Sequence, residues 1–264
     1  MSKESTVKRW KLIIEYNGTN YAGFQIQPGL PTIQGSIQRA IKEFSGQEVS
    51  LTVAGRTDAG VHAYHQVAHF DFDYQYKDGR SREITPYELA KAINSFLVDE
   101  PISILDAEIV SHDFHARFGA KHKIYHYVIT NRRFKTGLDK GRSWWVKAPL
   151  DLDSMIEASK ILIGKHDFTS FRDTECQAKS PIRTIDKIDF TREEILNGQK
   201  IIMTIEGRSF LHHMVRNIIG TLSLVGEGKW DIEDVQKALD AKNRTAAGPT
   251  APSDGLYLVK IDYD

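Results

Sequence analysis

Apolar and polar positions recur along this chain with two different periods, and those periods predict its elements. Trp10, Leu12, Ile14 and Tyr16 alternate with Lys11, Ile13 and Glu15, the two-residue period of a strand with one buried face. Ile33, Ile37, Ile41 and Phe44 then recur at helical spacing and mark one face of a helix. Residues 49–53 read as a short strand and residues 66–73 as another. Thr85-Pro86-Tyr87-Glu88 has the form of a capping box with proline at the first helical position, which opens a helix expected to run through Leu97. A strand over 102–109 completes the order β-α-β-β-α-β.

The same order follows a second time. Residues 123–130 alternate aromatic and aliphatic side chains like a strand, a helix is expected over 152–163, and strands over 184–190 and 200–206. Residues 210–225 read as an amphipathic helix, Asp231 caps a further short one over 232–239, and residues 256–262 close as a strand. Apart from the extra helix, this is again the ferredoxin-like arrangement. The predicted class is α+β, with two fused ferredoxin-like (βαββαβ) halves, residues 1–112 and 113–264. A duplicated fold of this kind offers an active-site cleft between its halves, and an interdomain site is expected.

Composition narrows the setting. At 264 residues, 41% hydrophobic and 27% charged, the chain has the make-up of an ordinary globular protein. No apolar run is long enough for a membrane span, and residues 1–6 lead straight into the first strand pattern, so neither a membrane segment nor a signal peptide is expected. A single cysteine, Cys176, excludes an internal disulfide framework and any multi-cysteine zinc site. A cytoplasmic location is the expectation.

The 35 basic and 35 acidic residues cancel, which argues against a nucleic-acid partner until their distribution is considered. Between residues 117 and 147 there are nine lysines or arginines and one acid, Asp139, with Tyr125, Tyr127, Phe134, Trp144 and Trp145 interleaved. Such a stretch presents cations to phosphates and rings to unstacked bases. A solvated loop flanking an ordinary strand is the competing explanation.

The most informative segment is Ala54-Gly55-Arg56-Thr57-Asp58-Ala59-Gly60-Val61-His62-Ala63. Two glycines bracket an arginine and an aspartate just after a short strand, so a constrained loop would hold a carboxylate and a guanidinium side by side, projecting outwards. A tight turn with a surface ion pair explains the same residues. No Lys-Ser or Lys-Thr follows Gly60, which excludes a P-loop.

This segment resembles the signature of the tRNA pseudouridine synthase A family. The resemblance extends along the chain: Tyr16-Asn17-Gly18-Thr19-Asn20-Tyr21-Ala22-Gly23-Phe24-Gln25 is similar to the family's opening motif. Phe114-His115-Ala116-Arg117-Phe118 and Tyr125-His126-Tyr127 are similar to its middle segments. Phe168-Thr169-Ser170-Phe171-Arg172, His212-His213-Met214-Val215-Arg216-Asn217 and Gly255-Leu256-Tyr257-Leu258 are similar to its later ones. The matches occur in family order from about residue 10 to residue 263.

The resemblance implies a pseudouridine synthase fold and a reaction that detaches uracil from ribose, turns it and rejoins it through carbon 5, without cofactor or metal. The implied targets are uridines 38, 39 and 40 of the tRNA anticodon stem-loop, and the implied assembly is a homodimer. Asp58 matches the family's catalytic aspartate, whose carboxylate attacks either carbon 6 of uracil or carbon 1′ of ribose. Arg216 matches the arginine that keeps that carboxylate ionised, although a solvent-facing helix residue fits the pattern too. Arg56 is implied to hold the distorted RNA backbone around a flipped nucleotide. Tyr125 matches the active-site tyrosine, a ring to pack on uracil with a phenol to assist proton removal from carbon 5. Leu256 is implied as an apolar wall to the uracil, with a core strand leucine as the alternative. Lys123-Ile124 departs from the more basic pair of many relatives, which bears on local RNA contacts and not on Tyr125.

Other features carry less. His62, His65 and His69 lie in a strand pattern without a carboxylate or cysteine partner, so no metal is expected. His212 and His213 are adjacent and are expected to point in different directions on a helix. Cys176 has no evident activating partner. Two further readings compete with the enzyme: a tRNA-binding or tRNA-folding protein without catalysis, and a sheet-based module for single-stranded RNA. The second leaves the Asp58 loop without a role.

Overall fold

The structure is a computed structural model, and it describes residues 7–74 and 83–263. Residues 1–6, on which the signal-peptide expectation rests, lie outside them. Among the described residues no helix is long and apolar enough to cross a membrane. By compactness the chain forms two units, Met1–Lys121 with Val259–Asp264, and His122–Leu258.

In the first unit, strand β1 (Lys8–Tyr16) buries Trp10, Leu12, Ile14 and Tyr16, the positions of the two-residue alternation. Helix α1 (Ile33–Ser45) starts at Thr32, whose side chain accepts the Gly35 N–H, and buries Ile33, Ile37, Ala40 and Ile41. Strand β2 is only Thr52–Val53. Strand β3 (His62–Phe72) begins four residues earlier than its alternation suggested. Helix α2 (Pro86–Ser95) opens with the reciprocal Thr85–Glu88 capping box and buries Leu89, Ala90 and Ile93. Strand β4 (Ile102–Val110) and a short helix α3 (Ala116–Gly119) follow.

The strands are antiparallel in the order β4-β1-β3-β2, with Trp10 opposite both Phe70 and Ile109. Element order and strand order together are those of a ferredoxin-like unit. Each fully buried isoleucine of α1 contributes about 1.5–3 kcal/mol, so its apolar stripe decides where that helix sits. Near the end of the sequence, the Lys121 N–H donates to the Asp262 carbonyl (2.8 Å) and the Tyr263 hydroxyl donates to the Ala116 carbonyl (2.8 Å), returning the last residues to this unit.

The second unit starts at β5 (His122–Arg132), which has the short strand β6 (Trp144–Val146) parallel to it. Helix α4 (Leu152–Ser159) ends earlier than expected, because Lys160–Leu162 tightens into a 3₁₀ turn. The single strand expected over 184–190 is two strands. Strand β8 (Ile182–Ile185) pairs with β7 (Gly164–Asp167) in a separate two-stranded sheet, whereas β9 (Lys187–Ile195) pairs with β10 (Gly198–Gly207). The chain changes sheets at Asp186, a boundary that alternation alone does not mark. Strand β10 also pairs with β5, placing it between β5 and β9.

Helix α5 (Met214–Gly226) starts four residues later than expected. Its N-cap, His213, has φ 58°, so residues before it cannot continue a right-handed helix. Helix α6 (Ile232–Asp240) is capped by Asp231 as predicted, and β11 (Leu256–Asp262) closes the chain. The chain is therefore a mixed α+β protein.

Candidate active site

In the first unit, the loop carrying Asp58 is fixed by the chain segment that precedes α1. The Phe24 N–H donates to the Thr57 carbonyl (3.0 Å), and the Gly60 N–H donates to the Tyr21 carbonyl (3.2 Å). A buried bond joins the Tyr16 and Thr57 hydroxyls (2.7 Å). The Gln66 amide donates both to the Gly55 carbonyl (2.8 Å) and to the Tyr16 hydroxyl (3.2 Å). The two segments touch closely enough to need glycine. Gly23 has φ 99°, and a Cβ there would sit 2.7 Å from the Thr57 carbonyl oxygen; at Gly18 it would sit 2.0 Å from that of Val61. The Gly18 N–H also donates to Nδ1 of the buried His62 (3.1 Å), which gives that histidine a structural partner.

Thr57 is buried, Asp58 half-buried and Arg56 exposed. The loop thus turns its threonine inwards to the Tyr16–Gln66 bonds and its acid and base outwards. The acid and the base expected side by side share one loop. Burial pushes the Tyr16 phenol up to about 12, which keeps it protonated for its two hydrogen bonds.

His69 and His65 lie further along β3. Burial, and then the charges of Arg9 and His115, push His69 down to about 4, and its Nδ1 accepts the Ala116 N–H (3.2 Å). His65 is also pushed down, mainly by burial. Both are strand residues of the core face or its margin.

In the second unit, Tyr125 is half-buried on β5 opposite Ile205, with its ring edge-on to Phe210 at 5.2 Å between centroids. Tyr127, two residues on, is fully buried and donates to the Pro252 carbonyl (2.7 Å). Burial raises its phenol well above the ordinary value. Arg216 stands in the first turn of α5 and is half-buried; its Nε donates to the Ala251 carbonyl (2.8 Å), while the Ala251 N–H donates to the Arg216 carbonyl (3.2 Å). Leu256 is buried as the first residue of β11.

His212 and His213 do not diverge as expected. They precede α5, their rings lie 4.0 Å apart at 32°, and His213 Nδ1 is 2.6 Å from Asp173 Oδ2. The left-handed backbone at His213 turns the two side chains to one side. Asp173 is held below the ordinary carboxylate range by the Glu175 N–H and by His213. This pairing joins residues 40 apart and leaves no trace in a local pattern. The same is true of Phe210 beside Tyr125, and of Tyr16 and Gln66 beneath the Asp58 loop. Cys176 is half-buried and free.

Comparison with known proteins gives these positions a context. The family model described as tRNA pseudouridine synthase matches residues 12–119 and 158–264. The chain is similar to the protein called tRNA pseudouridine synthase A from Rhodopseudomonas palustris, at 50% identity over 256 residues, 97% of this chain and 99% of that one. It is also similar to the proteins of that name from a Caulobacter species (47% identity over 256 residues, 97% and 98%) and from Bradyrhizobium diazoefficiens (48% over 255 residues, 97% and 99%). Matched by the family model in both units and by these relatives over nearly its whole length, the chain belongs to the tRNA pseudouridine synthase A family.

Proposed function

We propose that this chain isomerises uridine to pseudouridine at positions 38, 39 and 40 of the tRNA anticodon stem-loop, with Asp58 as nucleophile. Family membership supports the reaction class. The observation that carries the assignment of Asp58 is its loop, which hydrogen bonds at Gly55, Thr57 and Gly60 fix on either side of the acid. A nucleophile held by backbone in this way needs little reorganisation to reach its target.

In this reading the ionised carboxylate forms a covalent bond to carbon 6 of uracil or carbon 1′ of ribose, and the glycosidic bond breaks. The uracil turns, carbon 5 joins carbon 1′, and the carbon 5 proton leaves as the adduct resolves. Reactant and product are isomers, so no redox partner is consumed. The target nucleotide must first leave the stem. Arg56, exposed on its loop, binds the RNA backbone. Tyr125 packs on the uracil and assists the proton's departure, Leu256 supplies an apolar wall, and Arg216 binds the substrate as a cation. In this reading the reaction takes place in the cytoplasm.

The working assembly in this reading is a homodimer. One surface of the second unit supports it. Residues 132–147 carry six bases and one acid, whereas residues 149–157 and 225–234 together carry seven acids and one base. Asn131 adjoins both, donating to the Val146 and Ala148 carbonyls and accepting from the Leu150 N–H. Phe134, Leu138 and Leu196 are exposed by 70%, 89% and 81%. Adjoining lobes of opposite charge with exposed apolar side chains are complementary to themselves under a two-fold axis.

Incubating the purified protein with unmodified tRNA transcripts and mapping pseudouridine tests the proposal. Product at 38, 39 and 40 is expected. Tight tRNA binding with no pseudouridine formed would instead favour a binding or folding role.

A further inference from the structure

We infer that Arg244 is a positioning residue that, through Asn217 and Thr250, sets the carbonyl holding Arg216. The inference rests on the reading of Arg216 as a substrate-binding residue. Arg244 follows α6, in a 3₁₀ turn (Arg244–Ala246) far from Arg216 in sequence. Its guanidinium spreads over four neutral acceptors: the carbonyls of Ala247 (3.4 Å) and Gly248 (2.9 Å), Asn217 Oδ1 (3.1 Å) and the Thr250 hydroxyl (3.0 Å). No carboxylate pairs with it among the described residues.

Asn217 is the hub. It is fully buried on α5, next to Arg216, and its Oδ1 accepts from Arg244 and from the Thr250 hydroxyl (2.6 Å). Its Nδ2 donates to the Phe171 carbonyl (2.8 Å), so the amide has a single orientation that serves all three partners. The stretch 247–251 is thereby tied to α5. Gly248 donates to the Thr221 hydroxyl (3.0 Å), and Gly220 approaches Pro249 so closely that a Cβ would lie 1.9 Å from the Pro249 carbonyl oxygen. That stretch ends at Ala251, whose carbonyl fixes Arg216 Nε at 2.8 Å and so aims the rest of its guanidinium.

The chemistry at position 244 requires arginine. Four acceptors in different directions match a planar five-donor fork, whereas a lysine ammonium reaches them from one point with three donors. Without the fork, the stretch 247–251 keeps its packing against Gly220 and the Thr250–Asn217 bond, but loses Arg244's ties at Ala247, Gly248 and Thr250, which lead up to Ala251.

The test compares Arg244→Lys, Thr250→Val and Arg216→Ala in the full chain, using unmodified tRNA and the arginine Nε–H resonances. Arg244→Lys is expected to lower kcat on the order of ten- to a hundredfold while KM for tRNA changes little, as for a misaimed group. The Arg216 Nε–H cross-peak should shift and lose its protection from exchange. Combining Arg244→Lys with Arg216→Ala should add little to the loss from Arg216→Ala alone, since both act through one side chain. Thr250 is exposed, so Thr250→Val removes one tie without threatening the fold and should move the same cross-peak in the same direction.

Unchanged kcat and an unmoved cross-peak in both Arg244→Lys and Thr250→Val would overturn the inference, as would losses that multiply in the double variant. Full activity of Arg216→Ala would instead remove the reading of Arg216 as a functional residue; a cross-peak that still moves in Arg244→Lys would then leave the clamp as a purely structural one.

Discussion

Replacing Tyr16 with phenylalanine tests how the Asp58 loop is held. The phenol is 2% exposed, lies 2.7 Å from the Thr57 hydroxyl and accepts from Gln66 at 3.2 Å. Removing it leaves the buried Thr57 hydroxyl without a protein partner, whereas Gln66 keeps its bond to the Gly55 carbonyl. A stranded buried hydroxyl costs about 1–3 kcal/mol. At roughly 2–4 °C per kcal/mol for a chain of this size, a mid-range loss lowers the melting temperature by about 4–8 °C. Calorimetry of Tyr16→Phe, Thr57→Val and the double variant reads the interaction directly. The double variant replaces both partners with apolar groups of similar shape, so it should be more stable than the sum of the single losses predicts, by about 1 kcal/mol or more. In the same set, kcat should fall for Tyr16→Phe, because the backbone beside Asp58 has lost its buried anchor. Strictly additive losses would refute the reasoning.

Three further outcomes are expected. His69 is held down to about 4 in the folded chain, below its ordinary value, so the unfolded state takes up a proton first as pH falls. The corresponding stability is present at neutral pH and is lost as pH drops from about 6.5 towards 4. Urea midpoints between pH 7.5 and 4.5 should show this fall, with a shallower slope in His69→Gln; an equal slope contradicts it. Tyr125→Phe should retain tRNA affinity but lose kcat, whereas wild-type turnover would assign the phenol no part in proton removal. Sedimentation should show a homodimer that Arg133→Glu with Lys135→Glu dissociates, and that adding Asp153→Lys with Glu233→Lys restores. A dimer indifferent to all four changes would place the interface elsewhere.

What the sequence disclosed follows from which interactions are local. Alternation revealed β1 because Trp10, Leu12 and Ile14 are buried on one face, and the Thr85–Glu88 box revealed α2 because capping is confined to four residues. The sequence pattern starts α5 too early because 210–213 is apolar enough for a helix, while the left-handed backbone at His213, whose ring pairs with Asp173 far back in the chain, has no periodic signature. The break between β8 and β9 escaped for a related reason: two strands that join different sheets keep one alternation across Asp186. The two glycines mark only a constrained turn around Asp58; its role as nucleophile comes from the family resemblance along the chain. Local pattern could not show that Gly18 and Gly23 exist to admit that loop, nor that Arg216 leans on Ala251. Tertiary partners of this kind decide what a motif does, and they leave no period to read.

Tritium release from tRNA labelled at carbon 5 of uridine tests the central claim most directly. Pseudouridine formation frees that hydrogen, so the unaltered protein should release label in proportion to the uridines it converts. Asp58→Asn keeps the size of the side chain but replaces the attacking carboxylate with an amide. It should bind tRNA and fold as the parent does, yet release no label above background. Release by Asp58→Asn at a rate near the parent's would contradict the assignment of Asp58 as nucleophile.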